Sequence, residues 1–196
     1  MITRIHEIIT DNSLSSISFD EPVTKTYFFH KLAKTSPIPV IYLDFDLLYG
    51  GYVASKILTK SDNVTLCQFT SKSILDIFAN LMDTISQNQH VVILDSLNGF
   101  FAALADEKDS GRIINNLIML LVTSGFSTES SIVVGSISKF KKDEGWVLSA
   151  IGRHVISIDK MNTISIRKQN SNLQLIQTDN LNAQKLSLPI SDLDIL

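Results

Sequence analysis

The chain has 196 residues, of which 44% are hydrophobic, and this is enough to bury the core of one domain. The formal net charge of −3 provides no general basic field, so binding to nucleic acid would require a local basic patch. The single cysteine, Cys67, excludes an internal disulfide framework and a cysteine-based metal cluster.

The N-terminal residues lack the apolar run of a signal peptide. The longest apolar runs are far shorter than the roughly 20 residues that a membrane-spanning helix needs. We therefore expect a cytoplasmic protein with no membrane partner.

Short apolar runs alternate along the chain with segments of helical periodicity. Residues 40–45, 64–69, 90–94 and 131–137 are nearly continuous in apolar side chains, as is typical of strands buried on both faces. Apolar residues recur at helical spacing in residues 24–34, 71–87 and 110–124. This alternation predicts a mostly parallel sheet flanked by helices.

After residue 152 the sequence predicts three strands joined by short connections with no helix between them, over residues 155–159, 163–168 and 173–177. They predict an antiparallel meander at the end of the sheet. We interpret residues 1–196 as one α/β domain with a core of about 13–177, followed by a C-terminal tail or arm over 178–196.

Residues 90–96 place a carboxylate, Asp95, directly after a buried strand, where ligands of open α/β sheets bind. The segment resembles the Walker B strand of the RecA/KaiC-like P-loop ATPase superfamily. That resemblance makes Asp95 a ligand of Mg²⁺ if a Mg-nucleotide binds. The alternative is an aspartate that caps the following helix.

Residues 40–46 resemble the RecA-type strand that ends in the acidic residue activating the attacking water, which would make Asp46 the catalytic residue of an ATPase. The alternative is a solvated aspartate at a strand end. Residues 15–19 supply a short first strand, and Lys25 and Thr26 stand where the lysine and threonine of the P-loop pattern GxxxxGK[ST] belong, so that both would bind nucleotide. The alternative is that the pair is a relic of the motif, with Lys25 simply solvated.

The two glycines of the P-loop pattern are replaced here by Phe19 and Thr24. Glycines let the loop adopt positive φ angles and wrap phosphate, whereas Phe19 would place a ring at the first turn and Thr24 would be strained there. Asp20 and Glu21 add negative charge, and Pro22 removes a backbone donor. We therefore predict a degenerate Walker A segment and expect no cofactor.

Lys139, Lys141 and Lys142 interleave with Phe140, in the position of a loop that contacts DNA in the recombinases. Basic and aromatic side chains together suit phosphate pairing and base stacking. The alternative is a solvated charged loop, because acidic residues follow at once.

The resemblance implies two functional hypotheses. The first is a non-catalytic pseudo-ATPase that acts as an assembly or regulatory subunit, like the recombinase paralogues, the KaiC-like accessory proteins or the RecA-fold subunits of Elongator. Its partner would be a second copy or a related RecA-fold subunit, with DNA or RNA as a possible ligand. Residues 100–104 and the C-terminal tail are candidate contact surfaces; the alternatives are core packing for residues 100–104, which is the simpler explanation, and packing of the tail on its own domain. The second is an ATPase that binds Mg-ATP through an atypical P-loop.

Overall fold

The computed structural model describes residues 2–69, 74–143, 145–148, 161–170, 172–178 and 183–189. Its helices are α1 (Ile2–Thr10), α2 (Pro22–Lys34), α3 (Leu48–Ala54), α4 (Ile74–Gln87), α5 (Leu97–Ala103), α6 (Ser110–Ser124) and a 3-10 helix over Phe126–Thr128. Its strands are β1 (Leu14–Phe19), β2 (Val40–Asp44), β3 (Val64–Gln68), β4 (Val91–Asp95), β5 (Ser131–Lys141), β6 (Gly145–Leu148), β7 (Asn162–Gln169), β8 (Asn172–Thr178) and β9 (Ala183–Pro189).

The strands form a sheet in the order β3-β2-β4-β5-β1-β7-β8-β9, with β6 paired to β5 outside this path. Neighbours from β3 to β7 are parallel, whereas β7, β8 and β9 are antiparallel. This confirms the predicted α/β fold with a mostly parallel sheet and an antiparallel end. Within the described residues, we find no helix with the length and apolarity needed to cross a membrane.

Successive residues of the central strands point into two separate cores. Val40 and Tyr42 pack with side chains of α1, α2 and α3, whereas Ile41 and Leu43 pack with those of α4, α5 and α6. All residues of β2 and β4 are buried because helices cover both faces of the sheet. The continuous apolar runs in the sequence follow from this burial.

The sequence prediction missed α1, α3 and α5. It also ended β5 at residue 137, but pairing with β6 extends this strand to Lys141. Part of the segment expected to form a tail or arm, Ala183–Pro189, pairs with β8 as the edge strand β9. The predicted strand over 155–159 lies outside the described residues.

Candidate functional site

Two adjacent parallel strands end in aspartates at the same edge of the sheet. Asp44 is the last residue of β2 and Asp95 is the last residue of β4, and the two are paired in the strand register. Both side chains are buried, and Asp46 follows two residues after Asp44. Because ligands of open α/β sheets bind at the carboxyl ends of the strands, this edge is the candidate site.

Lys25 reaches these carboxylates from the beginning of α2. Pro22 opens that helix, where a missing backbone N–H has no consequence, and this places Lys25 one turn further on. Its Nζ donates to Asp46 Oδ2 at 2.9 Å and to Asp95 Oδ1. Lys25 has no exposed surface, so its ammonium is surrounded by protein.

Two hydroxyl groups complete the hydrogen bonding of these aspartates. The Tyr42 hydroxyl donates to Asp95 Oδ2, so both carboxylate oxygens of Asp95 have partners. Ser96 Oγ donates to Asp46 Oδ2 at 2.8 Å and caps α5 by accepting from the backbone N–H of Gly99. We call this set the charge cluster; its members are Lys25, Tyr42, Asp44, Asp46, Asp95 and Ser96.

The ionisation of the cluster follows from its burial. Burial raises the pKa of Asp95, and the Lys25 ammonium opposes that rise. Burial alone would lower the pKa of Lys25, but the negative charges of Asp95 and Asp46 outweigh it and raise the pKa. Burial also raises the pKa of Tyr42, which keeps its hydroxyl a donor. The positions of the Lys25 ammonium and the Asp95 carboxylate are those of a buried ion pair.

Asp44 differs from the other two aspartates in its partners. Its Oδ2 accepts from the backbone N–H of Gly50 at 2.6 Å, while its Oδ1 is buried without a hydrogen-bond partner. Burial raises the pKa of Asp44 to about 6, against the opposing Gly50 hydrogen bond, and the nearby charge of Asp95 adds to the rise. Three carboxylates therefore face a single ammonium group.

Gly99 is required for the close approach of α5 to this cluster. A Cβ atom on Gly99 would collide with Asp46 Oδ1 and with the backbone of Phe45. The absence of a side chain lets Ser96 and Asp46 remain within hydrogen-bond distance.

The connection between β1 and α2 consists of Asp20 and Glu21 alone. Phe19 ends β1 and is buried, with its ring 5.5 Å from that of Phe28. Thr24 lies in α2 and donates to Glu21 Oε2 at 3.0 Å. Neither residue takes the phosphate-loop position that would be costly for it, because α2 begins too soon after β1 to leave such a loop.

The same connection is held against β7. The backbone N–H of Lys168 donates to Asp20 Oδ2 at 3.3 Å, and Lys168 Nζ lies 3.5 Å from Glu21 Oε2. Thr26 is buried and donates its hydroxyl to the carbonyl of Pro22 at 3.1 Å, within its own helix. The sequence-predicted residues Lys25, Asp46 and Asp95 thus meet, whereas the Thr26 hydroxyl turns back onto α2.

The three lysines predicted to bind nucleic acid lie on the hairpin formed by β5 and β6. Lys139 and Lys141 belong to β5, Lys142 lies in the turn, and all three are exposed. Arg167 anchors the base of this hairpin by donating to Ser138 Oγ at 3.0 Å and to the carbonyl of Ser18 at 2.9 Å. The hairpin therefore projects from the sheet at its carboxyl edge.

Tyr42 and Asp44 were missed as site residues in the sequence. They could have been recognised from their spacing, because residues two apart in a strand, such as Tyr42 and Asp44 in β2, point to the same face. In the part of the chain that the structure describes, no group of three His, Cys, Asp or Glu side chains is placed to hold a metal ion. The sequence predicted Asp95 as a metal ligand only for the case in which a Mg-nucleotide binds.

Residues 100–104, expected as a contact surface, lie mainly inside the domain. Phe100 is fully buried, and Leu104 is 9% exposed; both belong to the core formed with α4 and α6. Phe45 stacks on Phe100 with their ring centroids 4.2 Å apart. The apolar character of this segment therefore comes from internal packing.

The sheet order places this protein in the class of RecA-like α/β domains. No protein-family model and no curated protein matches the chain. Among solved structures, the crystal structure of the RadB recombinase is similar over 91% of this chain and 88% of that chain, with a TM-score of 0.62 and 11% sequence identity. At this identity the likeness shows the fold alone.

Proposed function

We propose that this chain is a non-catalytic RecA-fold protein that serves as an assembly or regulatory subunit. The observation that carries the proposal is the burial of Lys25 and its pairing with both Asp46 and Asp95. In a working phosphate loop the lysine contacts the phosphates of the nucleotide.

Nucleotide binding at this edge would require Lys25 to leave its partners. Breaking a buried ion pair leaves an uncompensated charge and costs about 3–5 kcal/mol. Phosphate would also bring negative charge towards Asp44, Asp46 and Asp95, which repels it. The two-residue connection provides no nest of backbone N–H groups to offset these costs.

Isothermal titration calorimetry with millimolar Mg-ATP, Mg-ADP and Mg-GTP tests the absence of nucleotide binding. We expect no saturable heat and no phosphate release above a protein-free blank. The wild-type chain is used because substitution of Lys25 is expected to destabilise the fold and so confound a loss of binding. Saturable binding of any of these nucleotides would contradict the proposal.

An atypical ATPase is the second candidate, because Lys25, Asp46 and Asp95 do converge at the edge where nucleotides bind in this fold. In that case Mg-ATP would shift the NMR signals of Lys25 and Asp95, and Asp46→Asn would abolish hydrolysis. Glu107→Gln, in an exposed loop, is the matched control.

The assembly role predicts self-association or pairing with a related RecA-fold subunit. Light scattering and native mass spectrometry of the full chain, over a hundredfold range of concentration, measure self-association directly. A strict monomer that also fails to pair with any co-expressed RecA-fold protein from the same genome would contradict this role.

Nucleic acid is a candidate ligand of the exposed lysines on the hairpin of β5 and β6. The joint replacement of Lys139, Lys141 and Lys142 by alanine should weaken binding of single-stranded DNA or RNA and reduce its salt dependence. The joint replacement of Lys34, Lys56 and Lys108, which are exposed elsewhere, removes the same charge and should change binding less. If both triple variants weakened nucleic-acid binding equally, binding would depend on the overall positive charge and not on the hairpin.

A further inference from the structure

A cavity of about 330 Å³ lies at the amino edge of the parallel sheet, opposite the charge cluster. It is formed by the turn between α1 and β1, by Gln89 in the loop before β4, and by the segment from the 3-10 helix to the start of β5. Its volume lies at the lower end of the range for small-molecule sites.

The cavity presents hydrogen-bond acceptors. Asp11 and Glu129 contribute two carboxylates, and none of the described residues that line the cavity is basic. The donors of two other lining residues are used within the protein: the Thr10 hydroxyl donates to the carbonyl of His6 at 2.9 Å, and Gln89 Nε2 donates to the carbonyl of Glu129 at 3.1 Å. A ligand that supplies several N–H donors and positive charge fits this lining.

A buried hydroxyl group in the wall of the cavity has no partner. Ser131 is 1% exposed, and its Oγ makes no hydrogen bond within the protein. The neighbouring Ser130 is satisfied, since its Oγ accepts from the backbone N–H of His90 at 3.0 Å and pairs with Thr128 Oγ1 at 2.9 Å. Because buried polar groups are almost always paired, the Ser131 hydroxyl indicates a missing partner.

An exposed aromatic ring completes the cavity. Phe126 lines it and is 76% exposed, the highest exposure among the large hydrophobic residues described. The face of an aromatic ring attracts a cation, and a planar cation can also stack on it. Carboxylates, an unpaired hydroxyl and an aromatic face are thus brought together in one cavity.

We propose that this cavity binds a guanidinium group. A guanidinium offers five N–H donors in a plane, which can pair with Asp11, Glu129 and Ser131 while stacking on Phe126, whereas an ammonium cannot stack in this way. The group comes either from a free small molecule or from an arginine side chain that a polypeptide presents. This site is independent of the charge cluster and of the function proposed for it.

NMR titration of the full chain with agmatine and with the peptide Gly-Arg-Gly separates these two sources. We expect saturable shifts at Ser131, Glu129 and Phe126 with at least one of them. Tight binding of agmatine alone assigns a small-molecule site, and tight binding of the peptide alone assigns an arginine of a polypeptide. Gly-citrulline-Gly, which has nearly the same shape without the charge, should bind at least tenfold more weakly.

Three substitutions in the cavity test the assignment. Glu129→Gln should weaken binding roughly tenfold, Ser131→Ala severalfold and Phe126→Leu severalfold, whereas the control Glu107→Gln, outside the cavity, should have no effect. Retention of the wild-type one-dimensional NMR spectrum verifies folding of each variant. No saturable binding of either ligand, equal binding of Gly-Lys-Gly, or equal effects of Glu129→Gln and Glu107→Gln would overturn the proposal.

Discussion

The two edges of the parallel sheet differ in how their polar side chains are paired. At the carboxyl edge, Lys25 has no exposed surface and both oxygens of Asp95 accept hydrogen bonds. At the amino edge, Asp11 and Glu129 are exposed, and the Ser131 hydroxyl is buried without a partner. The Lys25–Asp95 pair at the carboxyl edge is thus satisfied within the protein, whereas Asp44 Oδ1 beside it and the Ser131 hydroxyl at the opposite edge are buried without a hydrogen-bond partner.

The comparison teaches that the position of a cluster in a fold does not by itself identify a ligand site. A buried ion pair such as Lys25 with Asp95, whose charged groups are paired within the protein, can be explained by its contribution to structure, and a ligand must compete with the protein for those groups. An unpaired buried group, by contrast, can gain a hydrogen bond when a ligand enters. The following predictions test this difference, beginning with the largest expected effect.

Lys25→Met removes the only ammonium of the charge cluster and leaves Asp95 and Asp46 without it. We expect the free energy of unfolding to fall by about 3–5 kcal/mol, as for other broken buried ion pairs. Lys34→Met, on the exposed side of the same helix, should change it by less than about 0.5 kcal/mol. Urea denaturation measures both. If the two variants had similar free energies of unfolding, the ion pairs of Lys25 would not contribute to the stability of the fold.

We expect the free energy of unfolding to depend on pH through the protonation of Asp44. Its pKa is about 6 in the folded chain against an ordinary value of 3.8, so the folded state binds the proton more tightly. Its contribution to stability is therefore fully present below pH 3.8 and is lost as the pH rises through 6. The loss amounts to about 3 kcal/mol at most, since one unit of pKa corresponds to about 1.4 kcal/mol.

Asp44→Asn keeps an oxygen for the Gly50 N–H and cannot ionise, so it should remove this contribution to the pH dependence. Denaturation from pH 4 to pH 8 measures it, with Asp62→Asn as an exposed control. Parallel curves for wild type and Asp44→Asn would contradict the raised pKa.

Tyr42→Phe removes the donor to Asp95 Oδ2 and leaves a buried carboxylate oxygen unpaired. We expect a loss of about 1–3 kcal/mol in the free energy of unfolding. Tyr49→Phe is the matched control, because Tyr49 is equally buried and stacks on Tyr42, but its hydroxyl has only a long contact of 3.4 Å to His30 Nδ1. Thermal or urea denaturation should rank Tyr42→Phe as clearly the more destabilised variant.

Ser130→Ala and Ser131→Ala form a matched pair at the amino edge. The first removes the partner of the His90 N–H and should cost about 1–2 kcal/mol, whereas the second removes an unpaired hydroxyl and should be nearly neutral. Urea denaturation of both variants without added ligand measures the difference. A comparable loss for Ser131→Ala would mean that its hydroxyl has a partner in solution.

The sequence predicted the central elements closely. Residues 110–124 were predicted as helical and form α6 over the same range, because an apolar stripe on a helix of this length is a strong signal. The strands β2 and β4 were predicted to within one residue, since strands buried on both faces are continuously apolar. The short helices α3 and α5 lack enough turns to show a period.

The resemblance assigned Lys25, Asp46 and Asp95 to one nucleotide site under the hypothesis of an atypical ATPase. The alternative of a solvated Lys25 was wrong, because this residue has no exposed surface. The roles of Tyr42 and Asp44 were not expected, because an apolar run with one acid at its end does not show which side chains are paired. The end of β1 was predicted correctly, because residues 15–19 were expected to form the first strand. Phe19 continues the strand because it is paired on both sides, with Ile137 of β5 and Ile166 of β7.

The sequence by itself therefore determined the central strands, the longer helices α2, α4 and α6, and the acids at the carboxyl edge, because periodicity and strand-end position are local properties of the chain. Only the tertiary structure decided whether those acids are open to a ligand. Pairing of Lys25 with Asp46 and Asp95 depends on contacts across 21 and 70 residues. The cavity at the opposite edge likewise joins segments near residues 11, 89 and 130. Burial and hydrogen bonding of such groups arise from packing between distant segments, and no local pattern in the chain records them.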